Sequence, residues 1–128
     1  MISVILTIPG KLPSLNEYTR ACRAGAYTGA RMKRETEDRI GWEIARQVRG
    51  RPRLSGVAVA FSWHEPDKRR DPDNVIAGKK WVLDALVRGG VIAGDSWRHV
   101  LAITDRWYCD PDAPRVVVTI TPTERTTA

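Results

Sequence analysis

The residues best suited to chemistry in this chain lie between positions 71 and 95. Asp71 and Asp73 flank a proline at the start of a helix-like stretch that contains Lys80. A glycine pair ends that stretch, and Asp95 follows it. Carboxylate oxygens are the ligands that Mg²⁺ prefers, and bound Mg²⁺ can orient a phosphate and activate a water for its hydrolysis. The three carboxylates and the lysine are therefore the groups that a magnesium-dependent phosphodiesterase needs, provided that the fold brings them together.

Each of these residues also has an ordinary structural interpretation. Asp71 followed by Pro72 is typical of a helix start, with the aspartate as the capping acceptor. Asp95 lies in a Gly-Asp-Ser loop, which is a common turn. Lys80 and Asp84 are four residues apart and could pair on a helix surface, where such a pair contributes about 0.2–0.5 kcal/mol. The joint occurrence of all these residues on a basic chain favours the catalytic interpretation.

Neighbouring residues refine this hypothesis. Asp71 and Asp73 are expected to point toward the N-terminus of the predicted helix, whose dipole would also favour an anionic phosphate. His64 ends a predicted strand and could position a water, and His99 begins another, although an exposed or structural imidazole is the simpler interpretation of both. Trp97 is close enough to Asp95 in sequence to be a candidate for stacking on DNA.

The composition is consistent with a nucleic-acid partner. The chain has 128 residues, which suits a single domain over 1–128, and it carries 21 Lys and Arg against 15 Asp and Glu, for a net charge of +6. The sequence pI of about 9.8 is in the range typical of nucleic-acid-binding domains, although a solvated basic surface can also bind nothing specific.

Other classes of protein are disfavoured by the sequence. No apolar run approaches the ~18 residues of a membrane span, and the N-terminus has no signal-peptide pattern. Cys22 and Cys109 form no zinc-binding pattern. We therefore expect a cytoplasmic protein with reduced thiols and no membrane partner.

Hydrophobic periodicity predicts the elements that position these residues. Alternating apolar residues predict four strands, at about 2–8, 55–64, 100–108 and 116–120. A four-residue apolar repeat predicts a helix over 31–49, and the Asp-Pro start and Gly-Gly stop predict a second over 71–88. Residues 11–30 show no periodicity and are expected to be a long functional or mobile connection, and 122–128 a frayed tail. The expected fold is α+β, a mixed four-stranded sheet with two helices in the order β-α-β-α-β-β.

Two sequence blocks resemble the RusA family of Holliday junction resolvases, small endodeoxyribonucleases common in phages and prophages. The first block is D-P-D-N at 71–74, followed by a lysine, L-D-A-L at 83–86, a Gly-Val pair and an acidic loop. The second is P-S-L-N-E-Y at 13–18, similar to the family's segment after its first strand. The resemblance covers about residues 2–121.

The resemblance implies a dimeric, Mg²⁺-dependent enzyme, bacterial or phage-encoded, that nicks two opposed strands of four-way junction DNA. It implies catalytic and metal-binding roles for Asp71, Asp73 and Asp95, and it assigns the essential lysine to Lys80. Lys79 is a rival, because the stretch before L-D-A-L is three residues longer than in the shortest members. Gly94 is a second departure, since many members carry another acid there.

We therefore predict a homodimeric, structure-selective endonuclease. The residues predicted to contact DNA are Asn16, Arg20, Arg23, Arg31, Lys33, Lys68, Arg69, Arg70 and Lys79. Two alternatives share most of these features. One is a non-catalytic basic DNA-binding protein whose acids only cap a helix, and the other is a nuclease that acts on flap or duplex DNA with the same metal site.

Overall fold

The computed structural model describes residues 3–123, whose strands form one mixed sheet. The strands are β1 (Val4–Pro9), β2 (Val57–Glu65), β3 (Val100–Cys109) and β4 (Arg115–Pro122). Their order in the sheet is β1-β4-β2-β3. Strand β4 is antiparallel to both of its neighbours, whereas β2 and β3 are parallel. The predicted α+β class with a mixed four-stranded sheet is confirmed.

The helices are more numerous than the two expected. They are α1 (Leu15–Ala24), α2 (Ala26–Gln47), α3 (Pro72–Val75) and α4 (Lys79–Arg88), with a 3₁₀ turn at Ile76–Gly78 between the last two. The element order is therefore β1-α1-α2-β2-α3-α4-β3-β4. The predicted order β-α-β-α-β-β has the strands in the right places and is wrong about the helices.

The segment 11–30 is largely helical from Leu15 onward, and the prediction of a long connection there was wrong. Helix α1 begins with a capping box: the Ser14 side chain accepts a hydrogen bond from the main-chain N–H of Glu17, and the Glu17 carboxylate accepts one from the N–H of Ser14. This reciprocal capping satisfies two main-chain groups that a helix start leaves without partners. Gly25 separates α1 from α2, so that the predicted helix over 31–49 in fact begins at Ala26 and ends at Gln47.

The stretch 71–88 is not one helix, because a 3₁₀ turn interrupts it at Ile76–Gly78. Gly78 lies against Leu12, and a Cβ atom at position 78 would be 3.1 Å from the Leu12 side chain. The interruption leaves α3 with four residues. A helix of one turn has no appreciable macrodipole, so the expected dipole stabilisation of a phosphate at this point is not supported.

The core lies between the helices and one face of the sheet. Alternate residues of β2, from Val57 to Trp63, are at most 1% exposed, whereas the residues between them are partly exposed. Helices α2 and α4 cover that face with Ile40, Val82 and Leu86, all fully buried. This one-sided burial is typical of a sheet with antiparallel strands whose second face contacts solvent.

The ends of the elements agree with the sequence to within a few residues. Strand β4 extends to Pro122, and the N–H of Thr123 donates to the main-chain oxygen of Gly56 at 2.9 Å, so the predicted frayed tail does not begin at 122. Ile2 and the rest of the predicted tail, 124–128, lie outside the described residues. Within 3–123, no helix has the length and apolar character needed to cross a membrane. Cys22 and Cys109 are free, exposed thiols.

Ser14→Ala should lower the free energy of unfolding by about 1 kcal/mol, because it leaves the Glu17 N–H without its acceptor at a position that is 3% exposed. Urea denaturation followed by circular dichroism measures this change. Ser96→Ala, at an exposed serine in a loop, is the control and should have an effect below about 0.5 kcal/mol. Equal effects of the two substitutions would contradict the capping role.

Candidate active site

The two aspartates of the D-P-D-N segment lie at the start of α3, just after the loop that follows β2. The main-chain oxygen of Asp71 accepts hydrogen bonds from the N–H of Asn74 at 3.0 Å and of Val75 at 3.1 Å. Its carboxylate makes no capping hydrogen bond. Asp71 and Asp73 are exposed, and neither carboxylate has a hydrogen-bond or ion-pair partner in the described part of the chain. Their oxygens are thus available to a ligand.

Asn74, the last residue of that segment, connects it to α1. Its side-chain oxygen Oδ1 accepts a hydrogen bond of 2.9 Å from the main-chain N–H of Asn16. The bond satisfies one of the N–H groups that the first turn of α1 leaves without a helical partner. The two sequence blocks that carry the family resemblance are therefore in direct contact, and the exposed side chain of Asn16 lies beside the two aspartates' helix.

Arg70 holds the loop before Asp71 in place. Its guanidinium donates to the main-chain oxygen of Leu12 at 2.9 Å and to the carboxylate of Glu17, and its Nη1 atom lies 3.7 Å from Oε1 of Glu65. The Arg70 side chain is 16% exposed. Because its donors are already used within the protein, Arg70 is better explained as an anchor of the loop than as the phosphate contact we expected.

A cleft of about 280 Å³ opens between this loop, the start of α3 and the end of β3. Its lining includes Glu65, Asp67, Lys68, Asp71, Trp107 and Cys109. Burial raises the pKa of Glu65 above its usual value, against the opposing effect of the Arg70 and Lys11 cations. A group with such a pKa next to Asp71 can hold a proton closer to neutral pH than an exposed carboxyl can.

Lys79 makes a part-buried ion pair with β3. Its Nζ atom lies 2.6 Å from Oδ2 of Asp105, and the two side chains are 19% and 15% exposed. The other carboxylate oxygen, Oδ1, accepts a hydrogen bond of 2.8 Å from Nε1 of Trp63. The Lys79 ammonium also lies 5.5 Å from the centre of the Phe61 ring. Lys79 thus joins α4 to the sheet and is poorly placed to reach a ligand.

Lys80, its neighbour, points to solvent and bridges two carboxylates. Its Nζ atom lies 3.0 Å from Oδ1 of Asp84 and 3.4 Å from Oδ2 of Asp95, and its side chain is 69% exposed. The hydrogen bond to Asp84 is the main cause of the raised pKa of Lys80, and Asp95 adds to it. Lys80 therefore stays protonated, and it makes both the helix-surface pair considered from the sequence and a contact with the third aspartate.

The loop that carries Asp95 is closed by His99. The Nδ1 atom of His99 and the hydroxyl of Ser55 are 2.9 Å apart, and the imidazole ring lies against Gly94. A Cβ atom at position 94 would be 2.5 Å from the ring. The absence of an acid at Gly94 therefore has a steric reason, and His99 has a structural role. His64 lies apart from this loop and stacks on Tyr108 at 4.8 Å.

The structure does not bring the three predicted metal ligands into one cluster. Within residues 3–123, no three His, Cys, Asp or Glu side chains converge closely enough to hold a metal ion. Asp95 contacts Lys80, whereas Asp71 and Asp73 stand without partners at α3. The donor set still suits Mg²⁺, because this ion keeps several waters and takes one or two protein carboxylates directly. Asp71 and Asp73 could supply those two.

The predicted DNA contacts form two exposed groups in addition to Asn16. Arg20 and Arg23 lie on α1, where we had expected a loop, and Arg31 and Lys33 lie on α2, within the predicted helix. Arg31 pairs with Glu35 at 2.8 Å on the surface of α2. Lys68 and Arg69 lie in the loop before Asp71, and the Arg69 side chain is 90% exposed. An anion can replace such exposed pairs at little cost, since each contributes under about 1 kcal/mol.

Sequence reasoning missed two acids at the site, Glu65 and Asp105. Both face the helices, Glu65 at the end of β2 and Asp105 within β3, where it lies opposite Phe61. An acid in register with the buried residues of a strand is uncommon unless it is paired, and for Glu65 that register was readable from the alternation in 57–63. The partners of Glu65 and Asp105 were not readable from the sequence, because Arg70 and Lys79 lie in other elements.

Comparisons with known proteins give no match: neither the family models nor the curated proteins contain one for this chain. The assignment of a function therefore depends on the residues and contacts described above.

Lys79→Ala should destabilise the protein by about 1–3 kcal/mol, because it leaves the Asp105 carboxylate without its cation in a part-buried position. Lys80→Ala, at the adjacent and exposed position, is the matched control and should cost less than about 1 kcal/mol. Urea unfolding of the two variants measures the difference. A larger loss of unfolding free energy for Lys80→Ala would show that Lys80, and not Lys79, is the lysine that points toward the sheet.

Proposed function

We propose that this protein is a magnesium-dependent, structure-selective DNA endonuclease that resolves four-way junctions by paired nicks as a homodimer. The observation that carries the proposal is the pair of exposed carboxylates, Asp71 and Asp73, which have no partner among residues 3–123 and of which Asp71 lines a cleft. They occur on a chain with a net charge of +6, which attracts a polyanion. The resemblance of its sequence blocks to the RusA family supports the choice of junction DNA.

Asp71 and Asp73 would hold the magnesium ion through their free oxygens. When bound, Mg²⁺ would orient the scissile phosphate, lower the pKa of a bound water and offset charge on the leaving oxygen. Lys80 would donate to a non-bridging phosphate oxygen and stabilise its charge in the transition state. Transfer of the Lys80 ammonium from Asp95 to a phosphate would free the Asp95 carboxylate, whose side chain is 40% exposed, to act as a further oxygen ligand.

The substrate would bind through the exposed cations of α1, α2 and the loop before α3. Arg20, Arg23 and Lys33 are exposed, Lys68 lines the cleft and Arg69 is the exposed residue that follows it, so phosphates could follow both groups. Such contacts position a nucleic acid without reading its sequence. Two active sites are required for two symmetric nicks, which favours a two-fold dimer. We place this activity in the cytoplasm, on bacterial or phage DNA.

Two other functions use the same residues. A non-catalytic DNA-binding protein is favoured by one observation, the separation of Asp95 from Asp71 and Asp73 within a chain. A nuclease specific for flaps or simple duplexes would have the same carboxylates and lysine. Metal-dependent nicking separates the first alternative from the proposal, and a panel of junction, flap and duplex substrates separates the second.

Asp73→Asn should abolish nicking of a synthetic four-way junction in Mg²⁺ while leaving binding unchanged or tighter. The amide keeps the shape of the side chain but removes a charge that holds the metal and repels phosphate. The measurement is a single-turnover nicking assay with Mg²⁺ and with chelator, together with a binding titration in Ca²⁺. Asp38→Asn, at an exposed residue of α2, is the control and should retain full activity. Undiminished nicking by Asp73→Asn would refute the metal-site assignment.

Replacement of Arg20, Arg23 and Arg31 by glutamine should weaken junction binding and flatten its salt dependence. Each phosphate contact that is lost should reduce the slope of log K against log salt by about 0.9. Titrations at several salt concentrations measure that slope. Glutamine at Arg49 and Arg53, exposed residues beyond the C-terminal end of α2, provides the control. An unchanged slope in the triple variant would place the DNA elsewhere on the protein.

A further inference from the structure

The two edge strands of the sheet, β1 and β3, differ in whether side chains bond to their main-chain groups. At the β1 edge, the Gln47 side chain accepts from the N–H of Thr7 at 2.9 Å and donates to its main-chain oxygen at 2.7 Å. Arg39 donates to the main-chain oxygen of Pro9 at 2.9 Å. These side chains of α2 occupy main-chain groups that another strand would otherwise pair with. The β1 edge is thus protected against association.

The β3 edge has no such protection. The chain from 3 to 123 shows no side-chain hydrogen bond to the main chain of β3 that would correspond to those on β1, although β3 has ten residues and β1 has six. Strand β3 packs on β2 and lies beyond the cover of the helices. A long edge with free main-chain donors and acceptors is a template for pairing with another strand.

The same edge exposes a cluster of large apolar side chains. They are Trp97, which is 94% exposed, and Leu101, Ile103 and Trp107, which are 42–43% exposed. Tyr108, 45% exposed, lies on the opposite face of the sheet, where it stacks on His64. By contrast, the inward residues of β1, Leu6 and Ile8, are fully buried. Ile103 and Trp107 are in register with Val59 and Trp63 of β2, so they continue the apolar face of the core beyond the last strand that the helices cover.

The exposed area of this cluster is comparable with an interface. If a fully exposed aromatic side chain presents about 150–250 Å², Trp97, Leu101, Ile103 and Trp107 together leave on the order of 400 Å² uncovered. The largest apolar patch on a monomer is typically about 300–600 Å² and often has a function. Since a stable interface buries about 800 Å² on each partner, the cluster and the remaining exposed residues of β3 suffice for one.

The charge on this surface favours protein over DNA as the partner. Asp105 and Arg106 are the charged residues of β3, and Asp105 is already neutralised by Lys79. A surface with a single unneutralised cation has little attraction for phosphates, which bind arrays of Lys and Arg. It also offers little repulsion to a second copy of the same basic chain, and a strand edge can pair with itself about a two-fold axis.

We propose that two copies of this chain associate through antiparallel pairing of their β3 strands, forming a continuous eight-stranded sheet and covering the apolar cluster of each copy. The association is inferred from the unprotected edge at β3, whereas its consequence for catalysis rests on the proposed function. Strand β3 directly follows the loop that carries Asp95 and Trp97, so the pairing would fix the separation and orientation of those two loops in the dimer. That fixed geometry would set the spacing of the two nicks.

Ile103→Lys tests the interface, because it places an ammonium group in the cluster of each copy. Sedimentation velocity over a range of concentrations should show a dimer for the wild type and an increase of at least about tenfold in the dissociation constant for the variant. Ile5→Lys is the matched control: it makes the same substitution at an isoleucine of the opposite edge strand that is 60% exposed. This control should remain dimeric, and circular dichroism would verify the fold of both variants.

Hydrogen exchange of the unmodified protein provides a second test that does not depend on a variant. Amide protection in 100–109 should rise as the protein concentration rises through the dissociation constant, whereas protection in 4–9 should stay constant. A monomeric wild type, a dimeric Ile103→Lys variant, or an Ile5→Lys variant that dissociates equally would each overturn the proposed interface. A dimer with the expected behaviour that does not nick junction DNA would leave the interface intact and refute the nuclease.

Discussion

The part-buried ion pair between Lys79 and Asp105 is the contact on which the geometry of the candidate site depends. At 2.6 Å, and with Trp63 bound to the other carboxylate oxygen, the pair has little freedom to rearrange. Adjacent residues of a helix point about 100° apart, so an inward Lys79 directs Lys80 outward, toward Asp84 and Asp95. The same pair attaches the start of α4 to β3, a strand that has little other contact with the helices. The pair thus acts together with the buried residues of α4, Val82 and Leu86 among them, to fix the rotation of the helix, and it supports the edge of the sheet.

The polar residues around α3 differ in whether their side chains have hydrogen-bond partners. Arg70 and Asn74, which flank the Asp-Pro-Asp segment, both bond to residues more than fifty positions earlier in the chain. They tie the segment to the start of α1, since main-chain groups without partners are costly where water is excluded. Asp71 and Asp73, between them, have no partner among residues 3–123. The segment is thus held at both ends and leaves two free carboxylates in its middle, which are the groups that the proposed metal site would use.

The sequence was sufficient for the elements whose signals are local. Alternation located all four strands, and the Gly-Gly stop located the end of α4 at Arg88. Helix α1 was missed although its signal, a serine followed three residues later by a glutamate, is also local and readable. The break at Ile76–Gly78 was not predicted, and the close approach of Gly78 to Leu12, far away in sequence, was not readable either. Partners such as Asp105 for Lys79 are likewise fixed only when β3 is placed beside β2.

The negative charge of the unpaired carboxylates affects how the candidate site would interact with DNA. A carboxylate about 4 Å from a phosphate costs about 1 kcal/mol in water and about 4 kcal/mol at the effective dielectric of a protein surface. Two unpaired carboxylates near a phosphate would therefore cancel the attraction of about two of the exposed cations, each of which contributes a comparable amount. A divalent cation held by Asp71 and Asp73 would neutralise their two charges and remove that repulsion at the start of α3. Lys68 and Arg69 lead directly into those aspartates, so a DNA path along the basic loop passes them. In the proposed function such a path would be more favourable with a bound cation than without one, which is why binding and metal dependence must be measured together in this protein.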